Sequence, residues 1–217
     1  MISEILHYGE YNYNGKVVLK YEINIPHMEN SACASKFNGY NRSFIGEIMK
    51  KINSTFFNKS IKQYNIFEKL NCFTPICITS SVDIMLSTNK YISLFVDVHY
   101  DKGAEGVSTF RNSQTWNINT GKIESLKGLF KGYNWRERIM QELLSGVYKL
   151  EQEMGVGCYP ECRGCLQRSL DNDRYYLTPD GIVVFVPQGE IASDIWGIPT
   201  FLVEYKEIEN ILNIYLH

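Results

Sequence analysis

The sequence predicts an α+β protein built from two interlocked modules, residues 1–75 and 76–217, each with a curved antiparallel sheet covered by a helix. Stretches that alternate apolar and polar residues are grouped in runs, and helical periodicity appears at separate places between them. Such grouping favours an α+β fold over alternating βαβ units. The 217 residues are 44% hydrophobic and 21% charged, which is typical of a folded protein with a core.

The first module is predicted to contain one strand and one long helix. Residues 16–26 alternate with period two, which predicts a strand that ends at Pro26. From Phe44 onward apolar residues recur at helical spacing, and the stripe continues beyond a break near residues 58–60 until Pro75 ends it. The helical stripe consists of Ile45, Ile48, Met49, Ile52 and Phe56.

The second module begins with a predicted meander of strands over residues 77–87, 91–100 and 107–118. In the middle strand the apolar residues occupy alternate positions, so one face of the sheet is expected to contact solvent. That wet face would carry Ser93, Phe95, Asp97 and His99.

Further elements follow toward the C-terminus. A helix is predicted over residues 135–150, with Asn134 and Glu137 as a capping box. Residues 154–172 contain glycine, proline and cysteine and form a predicted insertion. Strands at 175–177 and 182–187 flank the turn sequence Thr-Pro-Asp-Gly, and a strand at 200–205 precedes a short helix at 206–212.

Charge and the N-terminal sequence limit the classes of partner. Lys and Arg total 22 against 24 Asp and Glu, a net charge of −2, so binding to the nucleic-acid backbone is not expected. The N-terminus lacks the pattern of a signal peptide, and no stretch is apolar enough to insert into a bilayer. A cytoplasmic location is therefore expected for the chain as written.

The most distinctive local motif is a cysteine cluster, Cys158, Cys162 and Cys165, in the predicted insertion. Three interpretations remain open: free thiols, a zinc site that needs a fourth ligand from elsewhere in the fold, and disulfides. The spacing also matches the cluster motif of radical S-adenosylmethionine enzymes, but there it lies early in a barrel and here it lies near the C-terminus. No cofactor other than this zinc is expected.

An acid and a base lie close together in the sequence. Asp97 and His99 share one face of a predicted strand, and Glu105 follows in the next turn. These three residues support one functional hypothesis, a hydrolase-like enzyme, which ranks below the two hypotheses given at the end of this section. The sequence contains none of the phosphate-loop, dinucleotide, zincin or nucleophile-elbow motifs.

Several segments together are similar to a known bacterial family. The turn at residues 100–106, the strand and turn at 115–121, and the segments 175–182, 185–192 and 196–199 resemble the paired domains of the RsiV anti-sigma factor ectodomain and of the N-terminus of PdaC-type polysaccharide deacetylases. Lys102 and Glu105 stand where the family has Gly and His. The cysteine insertion is an addition to the family pattern.

The resemblance implies a non-catalytic binding or sensory module. Its ligand would be a cell-envelope protein such as lysozyme, or a glycan, and the family's proteins often face the envelope. The resemblance does not extend to the transmembrane, sigma-binding or deacetylase parts of these relatives, so those parts are not expected in this sequence. An intracellular structural or regulatory protein with a zinc-binding cysteine insertion is the alternative. The ligand-binding residues suggested by the resemblance are Tyr100, Gly103, Glu105, Gly106 and Trp196.

Overall fold

The computed structural model of the protein describes residues 1–155 and 157–213, without the Ala104 side chain. The chain divides into two compact units. The first comprises Met1–Val82 and Val96–Phe110, and the second comprises Asp83–Phe95 and the chain from Arg111 onward. Each unit therefore takes two separate stretches of the chain. Residues 96–110 group with the N-terminal stretch, and an independent module over residues 1–75 stays a prediction.

The α+β class is confirmed: the smaller sheet is antiparallel, and the larger sheet is mixed, with a parallel pair where antiparallel pairing was predicted. Strands β1 and β2 pair antiparallel, whereas β2 and β3 pair parallel. A long helical crossover separates β2 from β3, and a crossover of this length allows the parallel direction. The sheet follows the order of the chain: β1 (Ile2–Tyr13), β2 (Lys16–Met28), β3 (Ile76–Ser87), β4 (Tyr91–Asp101), β5 (Val107–Asn117) and β6 (Lys122–Ile123).

Strand β1 is an element that the periodicity did not predict. Most of its residues are exposed, so its sequence lacks the alternation of a half-buried strand. Asn14 and Gly15, both with positive φ, form the two-residue turn into β2. An Asn-Gly pair is the preferred sequence for such a hairpin turn, and it is the signal that identifies β1.

The crossover in the first unit is one helical rod with an irregular turn inside it. Helix α1 (Ala34–Lys51) leads through a π-helical turn (Ile52–Phe56) into α2 (Phe57–Phe67). The helix begins earlier than predicted because Phe37 and Asn41 extend its buried stripe toward the N-terminus. The predicted break in the helix lies at the π-turn (Ile52–Phe56) and not at residues 58–60. Both helices pack on β2.

The second unit contains the smaller sheet and the remaining helices, in the predicted order. The turn between β7 and β8 is confirmed, with the Thr178 amide donating to the Gly181 carbonyl over 2.9 Å. Helices α3 and α4 contact each other, α3 also packs on β9, and α4 lies in the predicted insertion. The elements are α3 (Trp135–Met154), α4 (Cys162–Asp171), β7 (Tyr175–Leu177), β8 (Gly181–Phe185), β9 (Thr200–Glu204) and α5 (Tyr205–Ile208).

Two local predictions in this unit are wrong. Asn134 makes no side-chain capping bond at the start of α3, because its backbone (φ −88°, ψ 3°) is not in the extended conformation of a capping residue. The face of β4 predicted to be wet is covered: Ser93 is fully buried and its hydroxyl accepts a hydrogen bond from the Leu177 amide over 2.7 Å. Phe95 packs beside it against Tyr176 and Phe185.

Candidate functional site

The predicted glycine turn joins β4 to β5 in the first unit. The Lys102 amide donates to the Gly106 carbonyl (3.1 Å), and the Gly106 amide donates to the Gly103 carbonyl (3.0 Å). Gly103 and Gly106 have φ of +63° and +80°, a region that residues with a Cβ rarely adopt. The two glycines named by the family motif are thus required by the backbone of the turn.

Helix α2 holds the turn from one side. The Lys59 ammonium group forms an ion pair with the Glu105 carboxylate. The Gln63 amide donates to the Lys102 carbonyl (2.9 Å) and to Glu105 Oε1 (3.2 Å). The hydrogen bond from Lys59 lowers the pKa of Glu105 below its ordinary value. Lys59 and Gln63 were not predicted as site residues, although their i, i+4 spacing places them on one helical face.

Tyr100, near the end of β4, packs against the helical rod just before the turn. Its ring is 7% exposed and stacks on Phe56, with 4.8 Å between the ring centroids and 10° between the planes. Burial raises the pKa of the Tyr100 hydroxyl. With so little exposed surface, Tyr100 supports the turn and offers little area for direct contact with a ligand.

Two exposed apolar side chains follow the turn, and they lie on opposite faces of β5. Val107 is 58% exposed and Phe110 is 47% exposed. The Phe110 ring lies 6.5 Å from the Phe44 ring, and the Lys51 ammonium lies 5.7 Å from the Phe110 ring centre. Glu105 and Phe110 both contact the helical rod, so we refer to Glu105, Gly106 and Phe110 as the turn face. Sequence alternation had grouped Phe110 with the buried Trp116, so its exposure was not predicted.

The three residues of the acid–base hypothesis are engaged in different contacts. His99 Nδ1 lies 3.0 Å from the Thr109 hydroxyl, and Glu105 is bound by Lys59 and Gln63. Asp97 is 7% exposed. Both His99 and Glu105 are therefore bound to residues outside the predicted group of three.

Trp196, the last predicted ligand-binding residue, belongs to the second unit. It ends a short 3₁₀ turn (Asp194–Trp196) and is 8% exposed within the main core of that unit. Its indole N–H has no hydrogen-bond partner among the residues that the structure describes. The neighbouring Ile195, at 73% exposed, faces solvent, as does Asp194.

Two of the clustered cysteines interact at the start of α4. The Cys158 amide donates to Glu151 Oε1 on α3 (2.7 Å), which fixes the segment that enters the helix. Burial, followed by a hydrogen bond with Cys162, raises the pKa of the Cys158 thiol to about 12. Cys158 is therefore a protonated, weakly nucleophilic thiol in this arrangement.

Cys165 lies in a different environment from the other two thiols. It is buried, its thiol donates to the Glu190 carbonyl (3.0 Å), and the Arg168 guanidinium donates to its sulfur (3.0 Å). Within residues 1–155 and 157–213 no group of three His, Cys, Asp or Glu side chains is arranged to hold a metal ion. A zinc site that uses all three cysteines stays a prediction.

Comparison with protein families gives one match, to the second unit. The model of DUF3298, a protein family of unknown function, matches residues 163–206. The chain carries a DUF3298 segment. This segment runs from the start of α4 through β7, β8 and β9, so it includes Cys165 and Trp196.

The DUF3298 fold extends over the whole chain. A DUF3298 family member from Bacteroides fragilis has a TM-score of 0.69 at 13% identity, with 99% of this chain and 94% of that chain covered. A DUF3298 protein from Pseudomonas aeruginosa has a TM-score of 0.62 at 12% identity, with 100% and 95% covered. The predicted resemblance is thereby confirmed for the fold over the whole chain and for the DUF3298 segment at residues 163–206.

A search of curated proteins found no significant match. No helix in the described part of the chain combines the length and apolar character needed to span a bilayer.

Proposed function

We propose that this protein is a non-catalytic binding or sensory module for a cell-envelope ligand, and that the ligand contacts the turn face. The observation that carries the proposal is that different side chains hold the turn and face the solvent. Polar side chains of α2 hold the turn, while the Phe110 ring on the same side of β5 is exposed to solvent. Exposed apolar side chains on a rigid, polar-rimmed support are typical of recognition surfaces.

The proposed ligand is a protein such as lysozyme, or a glycan, as the resemblance to the RsiV and PdaC-type domains suggests. Phe110 supplies an aromatic ring that packs on protein side chains or on a sugar ring. Lys51 adds a cationic group 5.7 Å from the centre of that ring, so the surface suits a ligand with both polar and apolar groups. Nucleic acid is not a proposed partner.

The test is a calorimetric titration of the full chain with egg-white lysozyme and, separately, with soluble peptidoglycan fragments. We expect saturable micromolar binding to one of them. Phe110→Ser should weaken binding at least about tenfold. The matched control is Leu202→Ser, because Leu202 on β9 is 48% exposed against 47% for Phe110. Absence of saturable binding to both ligands, or equal loss in both variants, would contradict the proposal.

A second candidate function is an intracellular structural or regulatory role based on zinc. The contact between Cys158 and Cys162 favours it, because two thiols are already adjacent at the start of α4. The test is native mass spectrometry of anaerobically purified protein, with thiol alkylation. Stoichiometric zinc that protects Cys158, Cys162 and Cys165 would support this role. Metal-free protein whose stability is unchanged in chelator would exclude it.

A further inference from the structure

The outer edge of β1 carries an unused row of backbone hydrogen-bonding groups. β1 stands at the end of the strand order, and no strand lies beside its outer edge within residues 1–155 and 157–213. Its pairing with β2 is regular from Ile2 to Tyr11, before a shift at Tyr11 and Asn12. A regular free edge of this length is a template for another strand.

The hydrogen bonds between β1 and β2 identify the residues of β1 whose backbone N–H and C=O groups point away from β2. Met1 and Glu29 exchange both backbone hydrogen bonds, over 3.2 Å and 3.0 Å, so they form a hydrogen-bonded pair. In an antiparallel ladder such pairs alternate with pairs that do not bond to each other. The register is uninterrupted to Tyr11, so odd-numbered residues bond to β2. The outward N–H and C=O groups therefore belong to Ile2, Glu4, Leu6, Tyr8 and Glu10.

The side chains of β1 do not protect this edge. Between Ile2 and Tyr11 the strand contains neither proline nor lysine, the residues that commonly block edge pairing. Leu6 is 50% exposed and Tyr8 is 74% exposed on the face that also carries Glu4 and Glu10. The free edge is thus bordered by two apolar side chains between two carboxylates.

The charge of this face is negative. Glu22 of β2 lies opposite Tyr8 and Lys20 lies opposite Glu10, and both are exposed. Three carboxylates, at Glu4, Glu10 and Glu22, thus share the face with one ammonium group. A second copy of this chain would bring another acidic β1 to the edge, and like charges on neighbouring strands destabilise pairing. The charge favours a basic partner.

We propose that β1 is a docking edge for an extended, basic polypeptide segment, which adds to the sheet as a further strand. The segment would bond to the outward groups of Glu4, Leu6 and Tyr8 and place cationic side chains beside Glu4 and Glu10. Backbone bonds supply the affinity in this mode of recognition, and alternate side chains supply the specificity. This edge is a separate surface from the turn face, and its partner is independent of the proposed envelope ligand.

The probe is the peptide Lys-Thr-Val-Thr-Val-Thr-Lys-amide with fluorescein joined to its N-terminal amine, so that both lysine side chains stay cationic. Its two lysines are spaced like Glu4 and Glu10, and its palindromic sequence fits either strand direction. We expect saturable binding of this peptide to the full chain by fluorescence anisotropy. The same peptide with glutamate in place of both lysines should bind at least about tenfold more weakly, because it repels the acidic face.

Substitution at Leu6 separates edge pairing from side-chain contact. Leu6→Pro removes an outward N–H and leaves the ladder with β2 intact, because proline is tolerated on an edge strand where its N–H would face solvent. Leu6→Thr is the matched control, since it shortens the side chain and keeps the N–H. We expect Leu6→Pro to weaken peptide binding at least about tenfold and Leu6→Thr to weaken it much less, with unchanged circular dichroism for both.

Three results would overturn the inference. One is the absence of saturable binding of the lysine peptide up to millimolar concentration. Another is equal binding to the Leu6→Pro and Leu6→Thr variants. The third is a dimer in sedimentation velocity that Leu6→Pro abolishes, since the occupant of the edge would then be a second copy of the chain.

Discussion

The ring of Phe56 stacks on the ring of Tyr100, with 4.8 Å between centroids and 10° between planes. Phe56 is the last residue of the π-turn, and Tyr100 lies near the end of β4, two residues before the turn begins. The contact therefore fixes the helical rod of the first unit against the strand that carries the turn. A π-turn inside a helix changes the direction of the following side chains, and here it precedes the face with Lys59 and Gln63.

This stacking predicts an energetic coupling between the two rings. Phe56→Ala should lower the free energy of unfolding by about 2 kcal/mol, because a half-buried aromatic ring loses its packing. In a double-mutant cycle with Tyr100→Leu, the two changes should be non-additive by about 1 kcal/mol. Urea unfolding of the four proteins measures both quantities. Additive effects would show that the rings do not stabilise each other.

The conformation of Gly103 predicts a second stability effect. Gly103→Ala should destabilise the protein by about 1–2 kcal/mol, because alanine is strained at positive φ. In addition, a Cβ at this position would lie 3.0 Å from the Thr74 hydroxyl. Gly39→Ala in α1 is the control: its Cβ would meet nothing within 4 Å, so it should stabilise by about 0.5–1 kcal/mol. Equal effects of the two substitutions in thermal unfolding would contradict the geometry of the turn.

The ion pair of Lys59 and Glu105 predicts a pH dependence. The pKa of Glu105 in the folded protein lies below the ordinary value of 4.5, so the ion pair stabilises the fold above that pH. The contribution is lost as the pH falls through the lowered pKa. Glu105→Gln should therefore be less stable than the parent at neutral pH, and the two should converge in acid.

Denaturant unfolding at a series of pH values measures this convergence. Lys59→Met should remove the same pH-dependent component, because it deletes the other member of the pair. Glu153→Gln, at an exposed position of α3, is the control and should run parallel to the parent throughout. A stability gap between the parent and Glu105→Gln that persists unchanged in acid would argue against the ion pair.

The cysteines predict an order of alkylation. Cys72 is exposed and should react first with iodoacetamide, whereas the buried Cys33 and Cys165 should react only when the protein opens. Cys158 should react at least about tenfold more slowly than Cys72 at pH 8, because its pKa of about 12 leaves little thiolate. Peptide mass spectrometry over time measures the rates. Equal rates at Cys158 and Cys72 would refute the described environment of Cys158.

Much of the fold could be predicted from periodicity. Strands β3, β4 and β5 and helix α3 were predicted close to their observed bounds, because each buries an apolar face at a fixed period. Strand β1 was missed because most of its side chains are exposed, so no apolar alternation marks it. The parallel pairing of β2 with β3 was missed because strand direction depends on tertiary contacts, which a local pattern does not contain.

The site was predictable only in its backbone. Gly103 and Gly106 follow from the turn motif, since both need positive φ. Lys59 and Gln63 reach the turn because of the helical register after the π-turn. The sequence of residues Ile52–Phe56 did not indicate that a π-turn forms there. The exposure of Phe110 likewise depends on what the fold leaves uncovered, which alternation along β5 does not determine.

Hydrogen exchange of the full chain, with and without saturating egg-white lysozyme or peptidoglycan fragments, tests the central claim most directly. If the turn face binds the ligand, amides in residues 99–110 should exchange more slowly in the complex, and those in α4 should be unchanged. Protection confined to α4 and the following strands, or no protection with either ligand, would contradict the claim.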